Sequence, residues 1–342
     1  MNCKKITVKN AVGETIAHDM TQIIPGEYKG ARFKKGHVVE EEDISVLRDM
    51  GKESLYIIDL KPDDLHEDEA ALRIAEAVCG EGFTFAGPEE GKVTLEASYS
   101  GIMKINKELL IKANNVKDVL ITSIHNKVPV RKGDSAAGIR INPLVISEKI
   151  IKKIENMAAD KYIFEVSPFK NYKVGLVVTG NEVYHGRIED KFVPTIKRKL
   201  NRWGGELLDF TFVPDNRDLI KDALLDLKEK GAELLITGGG MSVDPDDLTP
   251  SGIRATGAEI ISYGAPVLPG NKLMLAYLDN IPVLGLPACV LYYKITVFDI
   301  IYPRILAGEK ISREDIVQLG LGGFCRHCEV CQYPNCSFGK IN

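Results

Sequence analysis

Between about residue 172 and residue 306, short apolar runs alternate with longer stretches whose apolar residues have helical spacing. The runs predict strands and the longer stretches predict helices. In chain order these are strand 174–178, helix 192–202, strand 206–213, helix 218–230, strand 234–236, strands 272–278 and 282–285, and a final helix of about 291–306. Such alternation is typical of a mostly parallel sheet with helices on both faces. We therefore predict a three-layer α/β domain.

The remaining segments have weaker or different patterns. Residues 1–60 carry short apolar runs separated by glycine and proline, which predicts a β-rich region. Residues 61–168 mix strand and helix patterns and predict an α+β region of unknown role. The α/β domain is predicted to span 169–310, and a linker with a cysteine-rich tail is predicted to fill 311–342.

Composition and charge exclude several classes of partner. Of the 342 residues, 44% are hydrophobic and 27% are charged, and the formal net charge is −4. No basic field therefore favours nucleic acid or an anionic membrane. The first residues lack the apolar core of a signal peptide, and the apolar stretch 290–306 is interrupted by Lys294, Asp299 and Arg304. We expect a cytoplasmic protein with neither nucleic acid nor membrane as a partner.

A glycine loop directly follows the strand predicted at 234–236. Gly238, Gly239 and Gly240 allow the backbone amides to approach an anion closely. The next residues include a hydroxyl and carboxylates suited to a hard cation such as Mg²⁺, namely Ser242, Asp244, Asp246 and Asp247. Asp244 and Asp246 also have the pattern of turn formers and helix caps. The loop predicts chemistry on a nucleotide or a phosphorylated cofactor.

A second loop, 179–182, follows the strand predicted at 174–178. In open α/β sheets, ligands bind beyond the carboxyl ends of the strands. We therefore expect this loop and the glycine loop to face one crevice.

Six short motifs occur in a fixed order between residues 172 and 308. They are Thr179-Gly-Asn-Glu182, Gly186-Arg-Ile-Glu-Asp190, Thr237-Gly-Gly-Gly-Met-Ser242, Asp247-Leu-Thr249, Pro269-Gly270 and Gly285-Leu-Pro287. This ordered set resembles the molybdopterin-binding domain of the molybdenum cofactor biosynthesis proteins. The family contains molybdenumtransferases, which insert molybdate, and related adenylyltransferases.

The resemblance implies a reaction and a set of site residues. The reaction is insertion of molybdate into adenylyl-molybdopterin with release of AMP, with Mg²⁺ and molybdate at the pterin site. The catalytic residues that it implies are Asp247, Glu182 and Asp190. The cofactor-binding residues that it implies are Thr179, Gly180, Gly238, Gly239, Gly240, Ser242, Thr249, Pro269, Gly270 and Pro287. The resemblance also implies a homo-oligomer.

Three positions depart from the family pattern. Asn181 stands where the family usually has aspartate, and the lysine after Pro269-Gly270 is displaced by one position to Lys272. The transferases' Leu-Pro-Gly-Asn-Pro loop is here Leu286-Pro287-Ala288-Cys289-Val290. Because a methyl and a thiol replace the glycine and the amide, the alternative is a non-catalytic carrier or chaperone that delivers molybdenum cofactor to a molybdoenzyme. A further alternative is a regulatory protein with a vestigial α/β domain.

Four of the seven cysteines lie together near the end of the sequence. They have the spacing Cys325-x2-Cys328-x2-Cys331-x4-Cys336, whereas Cys3, Cys79 and Cys289 are scattered. In a cytosolic chain such a cluster favours metal binding over disulfides. The consecutive short gaps are typical of [4Fe–4S] runs, but four thiolates also suit Zn²⁺. The cluster therefore predicts a metal-binding tail, with iron–sulfur, zinc and unligated thiols all open, that docks a molybdoenzyme or senses redox state.

Overall fold

The computed structural model describes residues 4–57, 61–242 and 244–340. They divide into two compact units, of which the first is Met1–Ser98, Ile105–Ile124 and Lys132–Glu165, and the second is Tyr99–Lys104, His125–Arg131 and Val166–Asn342. The first unit contains most of the two predicted N-terminal segments, and the second contains the predicted α/β domain and tail. The predicted boundaries at 60, 168 and 310 stay predictions, and Cys3 lies outside the described residues.

The strands and helices follow each other in chain order. The strands are β1 (Lys4–Thr7), β2 (Met20–Ile24), β3 (Tyr28–Phe33), β4 (Ser54–Ile57), β5 (Asp64–His66), β6 (Phe83–Glu89), β7 (Lys92–Ala97), β8 (Gly101–Ile105), β9 (Val119–Ser123), β10 (Pro129–Val130), β11 (Ser135–Ile141), β12 (Val145–Ser147), β13 (Phe164–Pro168), β14 (Lys173–Thr179), β15 (Glu206–Val213), β16 (Leu234–Gly238), β17 (Glu259–Tyr263), β18 (Met274–Leu278) and β19 (Ile281–Leu286). The helices are α1 (Asp43–Asp49), α2 (Glu67–Val78), α3 (Lys107–Asn114), α4 (Glu148–Ala158), α5 (Asn181–Tyr184), α6 (Phe192–Trp203), α7 (Arg217–Glu229), α8 (Thr249–Ala255), α9 (Cys289–Tyr292), α10 (Val297–Leu306) and α11 (Arg313–Gln318), with a 3₁₀ turn at Val8–Asn10.

The first unit contains four strands and one α-helix in residues 4–57, and both strands and helices in the segment that was predicted to be α+β. Its largest sheet has the order β6-β7-β11-β9, and every pairing in it is antiparallel. Helix α2 begins after His66, whose Nδ1 accepts a hydrogen bond from the amide of Asp68 at 3.2 Å. Ala71, Ile74 and Val78 recur at helical spacing on its buried face.

The second unit contains a six-stranded sheet with the order β15-β14-β16-β19-β18-β17. The pairings of β14 with β15, β14 with β16, and β16 with β19 are parallel, whereas β18 runs antiparallel to both of its neighbours. Strands β14 and β16 are buried along almost their whole length, because helices cover both faces of the sheet. Helices α6 and α10 pack on one face, and α7 and α8 pack on the other. The predicted three-layer α/β domain is confirmed.

Two sequence predictions in this sheet need correction. The continuous helix predicted at about 291–306 is wrong, because α9 ends at Tyr292 and α10 begins only at Val297. Thr296 has extended backbone angles and forms a capping box with Asp299, which starts a new helix at that point. The prediction also missed α8 and the strand β17. Within the described part of the chain, no helix has the length and apolar character needed to cross a bilayer.

A buried ion pair joins the two helices on one face of this sheet. The Lys199 ammonium on α6 donates to both carboxylate oxygens of Asp299 on α10, at 2.8 and 3.0 Å. It also donates to the carbonyl of Lys294 at 2.9 Å. Only 7% and 3% of the two side chains are exposed, so each charge depends on the other for compensation.

We expect Lys199→Met to lower the free energy of unfolding by about 3–5 kcal/mol, because it leaves the Asp299 carboxylate buried without a counterion. Urea unfolding followed by circular dichroism measures the change. Lys152→Met is the control, since Lys152 forms an exposed pair with Glu148 and its loss should leave the urea midpoint nearly unchanged. Equal midpoints for the two variants would contradict the prediction.

Candidate functional site

The predicted site loops meet at one edge of the six-stranded sheet. In the parallel pairings Val178 of β14 lies opposite Gly238 of β16, and Gly238 lies opposite Leu286 of β19. Thr179 lies opposite Val213 at the end of β15. The loops that follow these four strands therefore begin side by side, as the strand-end argument predicts.

The glycine loop lies against the end of β14 so closely that side chains are excluded. A Cβ atom on Gly239 would lie 2.4 Å from the Thr179 carbonyl oxygen, and one on Gly240 would lie 2.5 Å from Thr249 Oγ1. Both glycines also have positive φ, +100° and +57° respectively. These two positions require glycine for both space and conformation.

Two buried hydroxyls lie beneath this loop. Thr179 Oγ1 and Thr249 Oγ1 are 2.9 Å apart, and Thr179 also donates to the carbonyl of Gly238 at 3.4 Å. The two threonines are 4% and 0% exposed, respectively. Their contacts join the end of β14, the glycine loop and the start of α8.

Asp215, which follows β15, is a site residue that the sequence analysis missed. The amide of Asn181 donates to its Oδ2 at 3.0 Å, and the amide of Asp215 in turn donates to Asn181 Oδ1 at 3.3 Å. This reciprocal pair ties the loop after β14 to the loop after β15. Asn181, which stands where the family usually has aspartate, therefore connects these two loops.

The pKa of Asp215 is raised above its ordinary value. Burial is the main cause, and the nearby carboxylates of Glu182, Asp247 and Asp246 raise it further, against the lowering effect of the Asn181 amide. Each of these three carboxylates is thus close enough to disfavour the ionised form of Asp215. The sequence signal for Asp215 was its position directly after a strand of the predicted parallel sheet.

Asp247 supplies an oxygen that the protein itself does not satisfy. Its Oδ2 is buried and has no hydrogen-bond partner among the described residues. A buried acceptor in this condition is costly unless a ligand or an ion completes it.

The donor set of the site fits Mg²⁺, which prefers oxygen ligands. Across residues 4–57, 61–242 and 244–340, no three histidine, cysteine or acidic side chains are placed to hold a metal ion by themselves. Mg²⁺ characteristically uses one or two carboxylates together with waters and substrate phosphates. A three-residue protein cage is therefore not required, and Mg²⁺ at this site stays a prediction.

Comparisons with known proteins agree with this geometry. A family model described as "Probable molybdopterin binding domain" matches residues 175–307, and a model described as a domain of unknown function matches residues 5–59. The chain is 27% identical over 192 residues to the molybdopterin molybdenumtransferase of Haemophilus influenzae, covering 53% of this chain and 45% of that relative. Residues 175–307 form a molybdopterin-binding-type domain.

Other similarities are more limited. A CinA-like protein of a Mycobacterium species is 38% identical over 90 residues, covering 26% of this chain and 21% of that relative. The tungsten cofactor synthesizing protein MoaB of Pyrococcus furiosus has a TM-score of 0.35 at 20% identity, covering 42% of this chain and 98% of the solved one. The molybdopterin biosynthesis MoeA protein of Pyrococcus horikosii has a TM-score of 0.34 at 14% identity, covering 90% and 75%. The chain spans less than half the length of these curated relatives.

Several predicted residues of the molybdopterin-binding domain make structural contacts. Asp190 accepts hydrogen bonds from the amides of Phe192 and Val193 at 2.8 and 3.1 Å, and so caps the first turn of α6. The Ser242 side chain is exposed, and its carbonyl accepts a hydrogen bond from Tyr263 at 3.3 Å. The catalytic role of Asp190 and the binding role of Ser242 stay predictions.

Two further loops of the same domain, 269–270 and 287–290, contain predicted binding residues. The carbonyl of the buried Pro269 accepts a hydrogen bond from the amide of Val297 at 3.2 Å. A Cβ atom on Gly270 would lie 2.5 Å from Val297 Cγ1. The carbonyl of Pro287 accepts a hydrogen bond from the amide of Val290 at 3.2 Å. These contacts fix both loops, and the binding roles of Pro269, Gly270 and Pro287 stay predictions.

The altered loop after β19 has an exposed Ala288 in a helical conformation, at φ −57° and ψ −19°. The backbone therefore does not require the glycine that the transferases have there. Burial raises the pKa of the neighbouring Cys289 thiol, although the Lys199 cation opposes this effect. The thiol therefore stays protonated at neutral pH and is a poor nucleophile.

We expect Asp247→Asn to bring the pKa of Asp215 down toward its ordinary value, because it removes one of the repelling carboxylates. A raised folded-state pKa means that stability is lost as the pH rises from the unfolded value through the folded one. The variant should therefore lose less stability on going from pH 3 to pH 7. Solvent screening limits the gain at pH 7 to a few tenths of a kcal/mol.

Titration of the Asp215 carboxyl carbon by NMR measures the shift directly. Asp222→Asn, which neutralises a carboxylate with 64% of its side chain exposed, is the matched control and should leave the Asp215 pKa unchanged. An unaltered Asp215 titration in Asp247→Asn would disprove the proposed proximity of the two carboxylates.

Proposed function

We propose that this chain acts in molybdenum cofactor biosynthesis by binding adenylyl-molybdopterin and inserting molybdate with release of AMP. The proposal rests on Asp247 Oδ2, which is buried, has no hydrogen-bond partner among the described residues, and lies close to the carboxylate of Asp215 and to the glycine loop. A phosphate bound with a divalent cation would satisfy that oxygen and neutralise the repulsion. The match of residues 175–307 and the name of the Haemophilus influenzae relative support the same reaction.

Different residues of the chain bind the substrate and support the reaction. The glycine loop presents amides to the pterin phosphate, and the Thr179–Thr249 contact fixes that loop before the substrate arrives. Asp247 and Glu182 would hold Mg²⁺ at this site. Mg²⁺ supplies charge stabilisation for the phosphoanhydride as it breaks.

Asp215 is placed to handle a proton. Its raised pKa makes it a stronger base than an ordinary carboxylate, which suits it to accept a proton from the water that attacks the phosphoanhydride as AMP leaves. The Asn181 amide at 3.0 Å keeps its carboxyl group oriented. Molybdate enters as a substrate and leaves bound to the dithiolene of the pterin.

The test is anaerobic turnover of adenylyl-molybdopterin with Mg²⁺ and molybdate, with AMP release as the readout. Wild type should release AMP, and Asp247→Asn should lose at least about 100-fold in rate, as expected when an electrostatic group of the site is removed. Asp222→Asn should retain the wild-type rate. Equal rates for wild type and Asp247→Asn would remove Asp247 from the catalytic machinery.

A second candidate is a carrier that binds the pterin without turning it over. The observation that favours it is the loop after β19, where the exposed methyl of Ala288 and the half-buried thiol of Cys289 replace the transferases' glycine and asparagine. Delivery to a molybdoenzyme and assembly as a homo-oligomer belong to this candidate as well as to the first. Retained pterin binding without AMP release from wild type would support it.

The double variant Ala288→Gly, Cys289→Asn separates the two candidates, because it restores the transferases' glycine and asparagine without changing a side chain of α10. For a carrier whose activity was lost through this loop, we expect AMP release to rise at least about tenfold, equivalent to 1.4 kcal/mol of transition-state stabilisation. For an active transferase, the rate should change less than threefold. Pterin affinity measured by fluorescence quenching serves as the control for intact binding.

A further inference from the structure

The cysteine tail begins on a loop that carries predicted pterin-site residues. Phe324 forms a parallel β-bridge with Leu268, the residue that precedes Pro269 and Gly270. The amide of Cys325 donates to the Leu268 carbonyl at 2.9 Å, and the amide of Leu268 donates to the Gly323 carbonyl at 2.8 Å. The first cysteine is therefore fixed by backbone hydrogen bonds.

The end of the tail is fixed by burial. Tyr333 and Phe338 are 9% and 3% exposed and belong to the same core cluster as α6 and α10. The Tyr333 hydroxyl donates to the Asp299 carbonyl at 3.1 Å, and Arg202 donates to the Tyr333 carbonyl at 2.9 Å. Between these two anchors, residues 326–332 are exposed and contain no helix or strand.

All four cysteines border one cavity of about 200 Å³. Cys325 and Cys336, which adjoin the two anchors, are half-buried, whereas Cys328 and Cys331 lie on the exposed segment. The opposite wall includes Tyr292 and Tyr293. The Tyr293 ring packs against the His327 ring with their centroids 5.2 Å apart.

We infer that Cys325, Cys328, Cys331 and Cys336 bind one thiophilic metal centre in this cavity, either Zn²⁺ or an iron–sulfur cluster. Among the described residues, no three of these sulfurs are placed to hold an ion without movement of the chain. Metal binding therefore draws Cys328 and Cys331 inward, while the anchored Cys325 and Cys336 stay in place. Coordination of Zn²⁺ by four thiols releases four protons, since each ligand binds as a thiolate.

The metal centre would also brace two loops of the candidate pterin site. Cys325 is hydrogen-bonded to the loop that continues into Pro269 and Gly270, and the tyrosine wall directly follows the altered loop 286–290. Closing the tail would hold both loops together from the side of the cavity. This coupling rests on the proposed function, whereas metal binding does not.

The experiment loads purified, reduced full-length protein with Zn²⁺ alone or, anaerobically, with sulfide and equal amounts of ferrous and ferric iron. After desalting, metal and sulfide are measured per chain. We expect about one zinc per chain, or about four iron and four sulfide per chain, in wild type. Cys328→Ser and Cys331→Ser, which alter exposed residues, should lose at least tenfold in metal retention.

Cys79→Ala is the matched control. Burial raises the pKa of Cys79 to about 12, so this thiol stays protonated and is a poor metal ligand. Its loss should leave the metal content unchanged. Alkylation mapped by mass spectrometry should show the four tail cysteines protected by the bound metal. Wild type that retains neither metal and is alkylated equally with and without Zn²⁺ would falsify the inference.

A second readout tests the coupling. Loaded wild type should bind molybdopterin at least threefold more tightly than metal-free wild type, and Cys328→Ser should show no such difference. If wild type retains the metal but its loaded and metal-free forms bind molybdopterin equally, only the coupling between the metal centre and the pterin site is disproved. Metal retention with no pterin binding in either form would instead disprove the proposed function and leave the metal centre standing.

Discussion

The contact between the end of β14 and the glycine loop after β16 is the constraint on which the candidate site depends. Gly239 and Gly240 approach Thr179 and Thr249 so closely that a single added methyl would collide with backbone or hydroxyl oxygen. This approach is possible only because the two strands are parallel neighbours that end at the same level. The fold therefore sets the position of the loop amides before any ligand binds, which lowers the cost of ordering them on binding.

The glycine loop is positioned by the fold, whereas the carboxylates around it do not stabilise the fold. Burial and three neighbouring carboxylates disfavour ionised Asp215, and Asp247 keeps a buried oxygen without a partner within the described portion of the chain. Neither feature stabilises the folded protein. Groups that weaken the free protein but match a cation and a phosphate are expected where binding has shaped the sequence. In contrast, the carboxylate of Asp190 accepts hydrogen bonds from the first amides of α6 and so stabilises the start of that helix.

The sequence was sufficient for five of the six strands of the large sheet, all but β17, and for most of the strand-end residues. Continuous apolar runs identified β14 and β16, because a strand buried on both faces has no polar alternation to confuse the pattern. The split between α9 and α10 was not visible, since the apolar spacing continues across Tyr293 and only the Thr296–Asp299 capping box interrupts the helix. Asp215 was missed for a different reason. Its role comes from the neighbours of β15 in the sheet, and strand order is not encoded in local spacing.

The tail connects to this site through backbone and core contacts rather than as a separate appendage. Its first residues extend the loop that contains Pro269, and its last residues pack on the helices that also hold the Lys199–Asp299 pair. The Tyr333 hydroxyl bonds to the carbonyl of Asp299 itself, so the tail and the buried ion pair share one residue. The tail therefore contacts α10, and the 293–296 segment joins α10 to α9 and the loop after β19. That physical continuity gives the altered Leu286–Val290 sequence a second explanation besides lost chemistry, namely adaptation to a tail that packs beside it.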